Sequence, residues 1–277
     1  MKPKSSKKAA PVRKPVLSLS PAEAVSYRDT LRAARYATLA DSEGFEITCF
    51  AIEALGMRLS GVEKTLDGYE LSIRELAKHS VTMTHLSRDF PGLFSPFLAL
   101  YVRLTRARND RFHVGAYARH AADAAMELAV GLEEALMAQI QNPLVEHLMV
   151  KEVVQAKPEQ LVAQARMLIL RESFSFLPIH FNCAWHLLSD FALARFITRS
   201  KDRKGDLALT IESATQRAHA PLELIQIRNS ELLCPGAPVA DLIARSKLET
   251  GRPWLWLVVD HDKAEQLLGV LSPFEFL

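Results

Sequence analysis

The chain has 277 residues, 49% of them hydrophobic and 24% charged, with a net charge of +2; that suits two water-exposed domains of ordinary size and excludes a chain that is polyionic throughout. Cys49, Cys183 and Cys234 are far apart and form no Cys-x-x-Cys pair, which argues against a zinc site or a disulfide framework. No His-Glu-x-x-His, Gly-x-x-x-x-Gly-Lys or Gly-x-Gly-x-x-Gly is present, so zincin, P-loop and Rossmann chemistries lack their fingerprint.

Residues 1–20 carry Lys2, Lys4, Lys7, Lys8, Arg13 and Lys14 with Ser and Pro and no apolar run, so they read as a disordered basic arm. Such an arm attracts phosphate backbones, or is simply a solvated tail. No apolar core follows the charges as a signal peptide requires, and no stretch has the length of a membrane span; a cytoplasmic protein without membrane contact is expected.

Ser20-Pro21-Ala22-Glu23 predicts a capped helix start, and the helix runs to about Ala40. A second helix is predicted over 46–59, with Ile47, Phe50, Ala54, Met57 and Leu59 as its apolar stripe and Gly61 as its end. A third covers 72–79. After the break at Pro91-Gly92, Ser95-Pro96 opens another through Leu98, Leu100, Val102 and Leu104. The longest is predicted over 116–141, where Ala121, Ala125, Leu128, Leu132, Leu136 and Ile140 recur at helical spacing until Asn142-Pro143. Residues 21–141 therefore read as an antiparallel bundle of four or five helices. Beyond Pro143 the pattern changes to strands and helices in turn: strands at 153–155, 176–179 and 185–188 with helices over 158–171 and 189–198, then, after the polar residues 200–205, a second pass ending in 254–259, 267–271 and 273–277. Two such units of about sixty residues make an α+β repeat, divided here into 142–200 and 201–277. Trp185, Trp254 and Trp256 fall in strand-like runs and are expected in the core rather than stacked on a base.

Arg103, Arg106, Arg108 and Arg111 crowd a helix end beside Asn109, Asp110 and His113. On residues alone this is a solvated last turn in which cations complement the helix dipole. The run Arg108-Asn109-Asp110-Arg111-Phe112-His113, placed before the longest helix, also resembles the Arg-polar-x-x-x-His signature of HEPN domains. That resemblance, over roughly residues 45–140, implies metal-independent RNA cleavage by attack of a ribose 2′-hydroxyl on the adjacent phosphate, or an inactive descendant of it. His113 would be the general acid or base, Arg108 would stabilise the phosphorane-like charge, and Asn109 would orient one of them. Five residues along a continuous α-helix turn side chains about 140° apart, so a helix break near Gly115 or convergence of two copies in a homodimer is required.

The segments 145–197 and 232–277 are similar to two successive CBS motifs, through Val145-Glu146-His147-Leu148-Met149, Val153-Val154, Leu177-Pro178-Ile179 and His186-Leu187-Leu188-Ser189, then Leu257-Val258-Val259-Asp260 and Gly269-Val270-Leu271-Ser272-Pro273-Phe274-Glu275. The resemblance implies a tandem (Bateman-type) module with clefts for adenosine ligands such as AMP or ATP. Ser272 and Glu275, with Gly269 before them, would then hold phosphate and ribose in the second motif, glutamate replacing the usual aspartate. The first motif keeps only Ser189, since His186 stands at its glycine position and Ala192 at its acidic one; the backbone at Val154, Pro178 and Ile179 would read the base. Taken together, the resemblances imply a homodimeric regulator in which an adenine nucleotide modulates an RNA-binding or RNA-cleaving helical domain, with no cofactor or metal required for catalysis. The alternatives are a non-catalytic nucleotide sensor and a plain interaction scaffold.

Overall fold

The structure is a computed structural model that describes residues 17–41, 44–109, 116–246 and 255–276, with the side chains of 116–120 and 243–246 also outside the description. The chain divides into two compact units, Met1–Gln141 and Asn142–Leu277.

In the first unit every described element is helical. Helix α1 (Pro21–Ala40) begins in a reciprocal cap: Ser20 Oγ accepts from the Glu23 N–H at 3.3 Å, while the Glu23 carboxylate accepts from the Ser20 N–H at 2.9 Å. Helix α2 (Phe45–Ser60) ends at Gly61, whose φ of 65° only glycine adopts without strain. A 3₁₀ turn (Leu66–Tyr69) leads into α3 (Glu70–Ala77), and a π-helical turn (Thr82–Leu86) into the short α4 (Ser87–Asp89). The unit closes with α5 (Phe97–Asn109) and α6 (Ala116–Met137), which pack on one another and on α2, with α6 also packing on α1. Its core is mostly aliphatic, with Leu31, Ile52, Leu55, Leu100, Leu104, Leu128 and Leu132 fully buried beside Tyr69 and Tyr101.

Two predictions for this unit are corrected. Of the expected α2 stripe only Leu59 is buried, beside Cys49, Ile52 and Leu55 on another face, whereas Ile47, Phe50 and Met57 point outward, Phe50 being 53% exposed. Both faces are apolar at helical spacing, and α1 and α6 pack on the one bearing small Cys49 and Gly56. Helix α6 stops at Met137 rather than Gln141, because its last turn tightens to i→i−3 bonds (Gln139 N–H to Leu136 O at 3.3 Å, Ile140 N–H to Met137 O at 3.0 Å) before Asn142 turns to φ 51°.

In the second unit the order is α7 (Val145–Leu148), α8 (Val162–Glu172), β1 (Phe176–Phe181), β2 (Ala184–Ser189), α9 (Asp190–Thr198), α10 (Arg203–Leu207), α11 (Ile211–Thr215), β3 (Ile225–Gln226), α12 (Val239–Ser246), β4 (Trp256–Val259), β5 (Leu267–Leu271) and a 3₁₀ turn (Pro273–Phe276). One antiparallel sheet runs β1-β2-β3 and a second pairs β4 with β5. In β1 and β2 the period of two sends Leu177, Ile179 and Leu188 to a core with α8, α9 and α11, and Trp185 and Leu187 to one shared with Leu257 and Val259. Both faces are covered, which is why the run reads as continuously apolar. Trp185 is buried as expected, its indole N–H donating to Ala264 O at 2.7 Å, whereas Trp256 is only half-buried and Trp254 lies outside the described residues. Two predictions change here also. Residues 153–155 form no strand, only a single parallel bridge from Ala156 to Ile179; and α8 starts at Val162, because residues 157–160 form a turn in which the Gln160 side chain caps the Lys157 N–H at 2.9 Å.

The two repeats interlock by exchanging their leading segments. Val145 and Glu146, opening the first, donate to Ala237 O and Pro235 O of the second at 2.9 Å each; Ile211 and Glu212, opening the second, donate to Gln160 O and Pro158 O of the first at 2.9 and 3.0 Å. The same exchange completes the sheets. Ile225, before the second repeat's helix, pairs with Leu187 of β2, and Val150, before the first repeat's helix, pairs with Val270 of β5. The equivalent parallel bridges Ala156–Ile179 and Leu233–Val258 complete an approximate internal two-fold.

Candidate functional sites

Leu100, Tyr101, Leu104 and Thr105 bury one face of α5, and Arg108 follows them in helical register. Its guanidinium meets Glu53 of α2 in a two-pronged pair: Nη1 donates to one carboxylate oxygen and Nη2 to the other, the latter at 2.9 Å, and both side chains are only 21% exposed. The same guanidinium lies 5.7 Å from the centroid of the Phe50 ring. The carboxylate's hydrogen bond holds Arg108 still more firmly in its charged form than an ordinary arginine.

Beside this pair is a cavity of about 160 Å³ lined by Glu53, Thr65, Leu66, Asp67, Thr105, Arg108 and Asn109. Its far wall is held by aromatic residues. Tyr101 donates its hydroxyl to Leu66 O at 2.6 Å, and burial pushes that phenol's pKa up. Tyr69 lies flat on α2 because position 56 is glycine, where an added Cβ would come within 2.6 Å of the Tyr69 side chain. That contact sets the 65–67 turn next to Glu53, about one helical turn earlier.

Of the predicted triad, Arg108 and Asn109 stand at this cavity, with Asn109 exposed at the last position of α5. His113 lies outside the described residues. Glu53 and Asp67 were missed by the sequence reading. The signal for Glu53 is an acid within the apolar middle of α2, which asks for a partner but does not say which of 34 Lys and Arg residues supplies it.

In the second unit Ser189 and Ser272 occupy similar places, Ser189 as the last residue of β2 and Ser272 as the first after β5, each at the end of a strand that has paired with the exchanged segment and before a helical turn. Their local roles differ. Ser189 caps α9, its Oγ accepting from the Ala192 N–H at 3.0 Å, and is buried; Ser272 is half-buried, and its carbonyl accepts from the Glu275 N–H at 3.0 Å. A hydroxyl acting as a cap keeps its proton to donate but has one lone pair engaged. Glu275 sits half-buried in the closing 3₁₀ turn, where the first repeat has Ala192. Gly269 is required by packing: a Cβ there would be 2.7 Å from Met149 Sδ and 3.0 Å from Val150 O, blocking the exchanged bridge. Pro178 O already accepts from the Ala156 N–H at 3.0 Å, Ile179 is fully buried towards the helices, and Val154 packs partly into that core, so the structure brings these three together along one edge of β1. Among the described residues no cluster of three or more His, Cys, Asp or Glu could hold a metal ion, and no helix is long and apolar enough to cross a membrane.

No protein-family model and no curated protein matches the chain. Solved structures do match part of it. They include an acetoin utilization protein (AcuB) from Vibrio cholerae (14% identity, TM-score 0.37, covering 49% of this chain and 88% of that one). CBSX2 in complex with AMP is 19% identical at TM-score 0.34, covering 48% and 91%. The CBS domain pair of MJ0100, in complex with 5′-methylthioadenosine and S-adenosyl-L-methionine, is 18% identical at TM-score 0.35, covering 49% and 94%.

Proposed function

We propose that the chain is a cytoplasmic regulator whose C-terminal unit binds an adenine nucleotide beside Ser272 and Glu275, and whose HEPN-like helical unit presents Arg108 to RNA. The observation that supports it most directly is the interlocked pair of repeats, which sets the two motif serines at matching strand ends while giving an acidic partner to Ser272 alone. A carboxylate there accepts two ribose hydroxyls and a hydroxyl meets phosphate, so one site per chain is expected. Modulation of the helical unit requires the nucleotide to favour one of its states by about 1–3 kcal/mol. A homodimer is part of this reading, supported by the outward apolar face of α2 at Ile47, Phe50 and Met57.

A second, non-catalytic reading is favoured by the Arg108–Glu53 pair, which occupies the guanidinium with the protein's own carboxylate. Titration calorimetry of the full chain with AMP, ATP and S-adenosylmethionine tests the nucleotide site. Glu275→Ala should weaken binding about tenfold, the effect of losing a charge-assisted hydrogen bond, and Ser189→Ala should leave it unchanged. Equal affinity in wild type and Glu275→Ala would remove this site. Metal-free incubation with RNA, with and without ATP, then separates the two readings: cleavage abolished in both Arg108→Ala and His113→Ala supports the nuclease, and background activity in all three proteins leaves a sensor.

A further inference from the structure

A phosphodiester and the Glu53 carboxylate make the same demand on Arg108. Each is a pair of anionic oxygens spaced to take two parallel N–H groups of the guanidinium, and here both terminal nitrogens already point at Glu53. The pair is four-fifths buried, so solvent screens it poorly, and the Phe50 ring covers the guanidinium further. Among the described residues, Asp67 adds a second carboxylate to the cavity wall against one arginine. An anion entering that cavity meets two negative side chains and a cation that is already satisfied.

From this geometry we propose that Glu53 is an intramolecular gate on Arg108, a built-in phosphate mimic that closes the site to RNA until its carboxylate is displaced. The gate rests on the reading of Arg108 as the phosphate-binding residue and adds the group that regulates it. Opening needs no bond to form or break, only exchange of one oxyanion for another on the same nitrogens. The cavity beside the pair is about the size of a single ring, so it admits one base ring of a strand next to the exchanged phosphate. Glu53 also ties α2 to α5, and a purely structural tie predicts lost stability with no gain in binding.

The test measures binding of a fluorescein-labelled single-stranded RNA, and separately of inorganic pyrophosphate, to the full chain as wild type, Glu53→Gln, Arg108→Ala and the double variant. Glu53→Gln keeps the size and a hydrogen-bond acceptor but removes the charge, and should tighten both ligands by about tenfold, since a charge-assisted competitor is lost. Arg108→Ala should abolish the gain in the double variant. Glu53→Asp, which withdraws the carboxylate by one methylene, should give a smaller gain and guards against a folding defect in the glutamine variant, with thermal melts recorded for each. If Glu53→Gln lowers the melting temperature and leaves Arg108-dependent RNA binding at the wild-type level, the gate is wrong and the RNA site stands. If Glu53→Gln gains pyrophosphate through Arg108 but no RNA, the gate stands and the RNA reading fails. No Arg108-dependent binding of either ligand in any variant overturns both.

Discussion

Glu134, on α6, accepts from the Ser80 hydroxyl at 2.6 Å and from the Val81 and Thr82 backbone N–H groups at 2.9 and 3.2 Å, so one side chain caps the turn that begins at Thr82 from outside its own helix. Burial raises its pKa, but the Ser80 and backbone hydrogen bonds outweigh it and hold the carboxyl below the ordinary glutamate range. Glu134→Ala should therefore cost about 2 kcal/mol, as several donors to a charged acceptor lose their partner. The pH dependence has a definite sign. With the folded pKa depressed, the contribution is fully present above the unfolded value of 4.5 and disappears as pH falls through the lower folded value. Denaturant melts at pH 7 and pH 3 should show the wild type losing its advantage over Glu134→Ala in acid; a difference that does not change with pH would mean that the carboxylate is not the acceptor. None of this was legible in the sequence, where Glu134 is one acid of a Glu-Glu pair on a long helix and Ser80 is over fifty residues away.

Elements were legible where their local signals agreed. Helix α1 is bounded by a capping box that involves only neighbours, and the α6 ladder from Ala121 to Ile140 is buried as its spacing requires. Strands β1 and β2 were legible as separate runs, while their pairing was not; the structure joins them through Asn182 and Cys183, both with φ near +50° to +60°, in a tight two-residue hairpin turn. The α2 stripe misled because its pattern fits two faces, and the choice was made by what packs against it. Strand β5 shows the same dependence at one residue. Gly269→Ala should destabilise the protein by about 1–3 kcal/mol, the range for forcing atoms into a packed contact, because the new methyl meets Met149 and the Val150 carbonyl. Hydrogen exchange at the Val150 and Val270 amides, which bond each other's carbonyls, should accelerate with it. Unchanged protection there would show that the close approach is not needed for the exchanged bridge.

For the whole molecule, the exchange of leading segments makes the two repeats one folding unit. Each lobe's core or sheet is completed by the other repeat's chain, through α11 and β3 on one side and α7 and Val150 on the other. Residues 142–200 expressed alone should lack a cooperative thermal transition, while 142–277 should melt in one step; a folded, cooperative 142–200 fragment would show that the exchange adds little. That experiment also bears on the candidate nucleotide site, because Ser272 follows β5, whose neighbour Val150 belongs to the first repeat.

The sequence by itself determined the helices of the first unit, the change of class near Pro143 and strands β1, β2, β4 and β5, but not β3 or the unformed strand at 153–155, because caps, breakers and hydrophobic period act over a few residues along the chain. Tertiary structure alone decided which face of α2 is buried, which segments are exchanged between the repeats, and that Arg108 meets Glu53. Each of those is a competition among chemically equivalent partners, settled by which surfaces pack and which charges are thereby withdrawn from water.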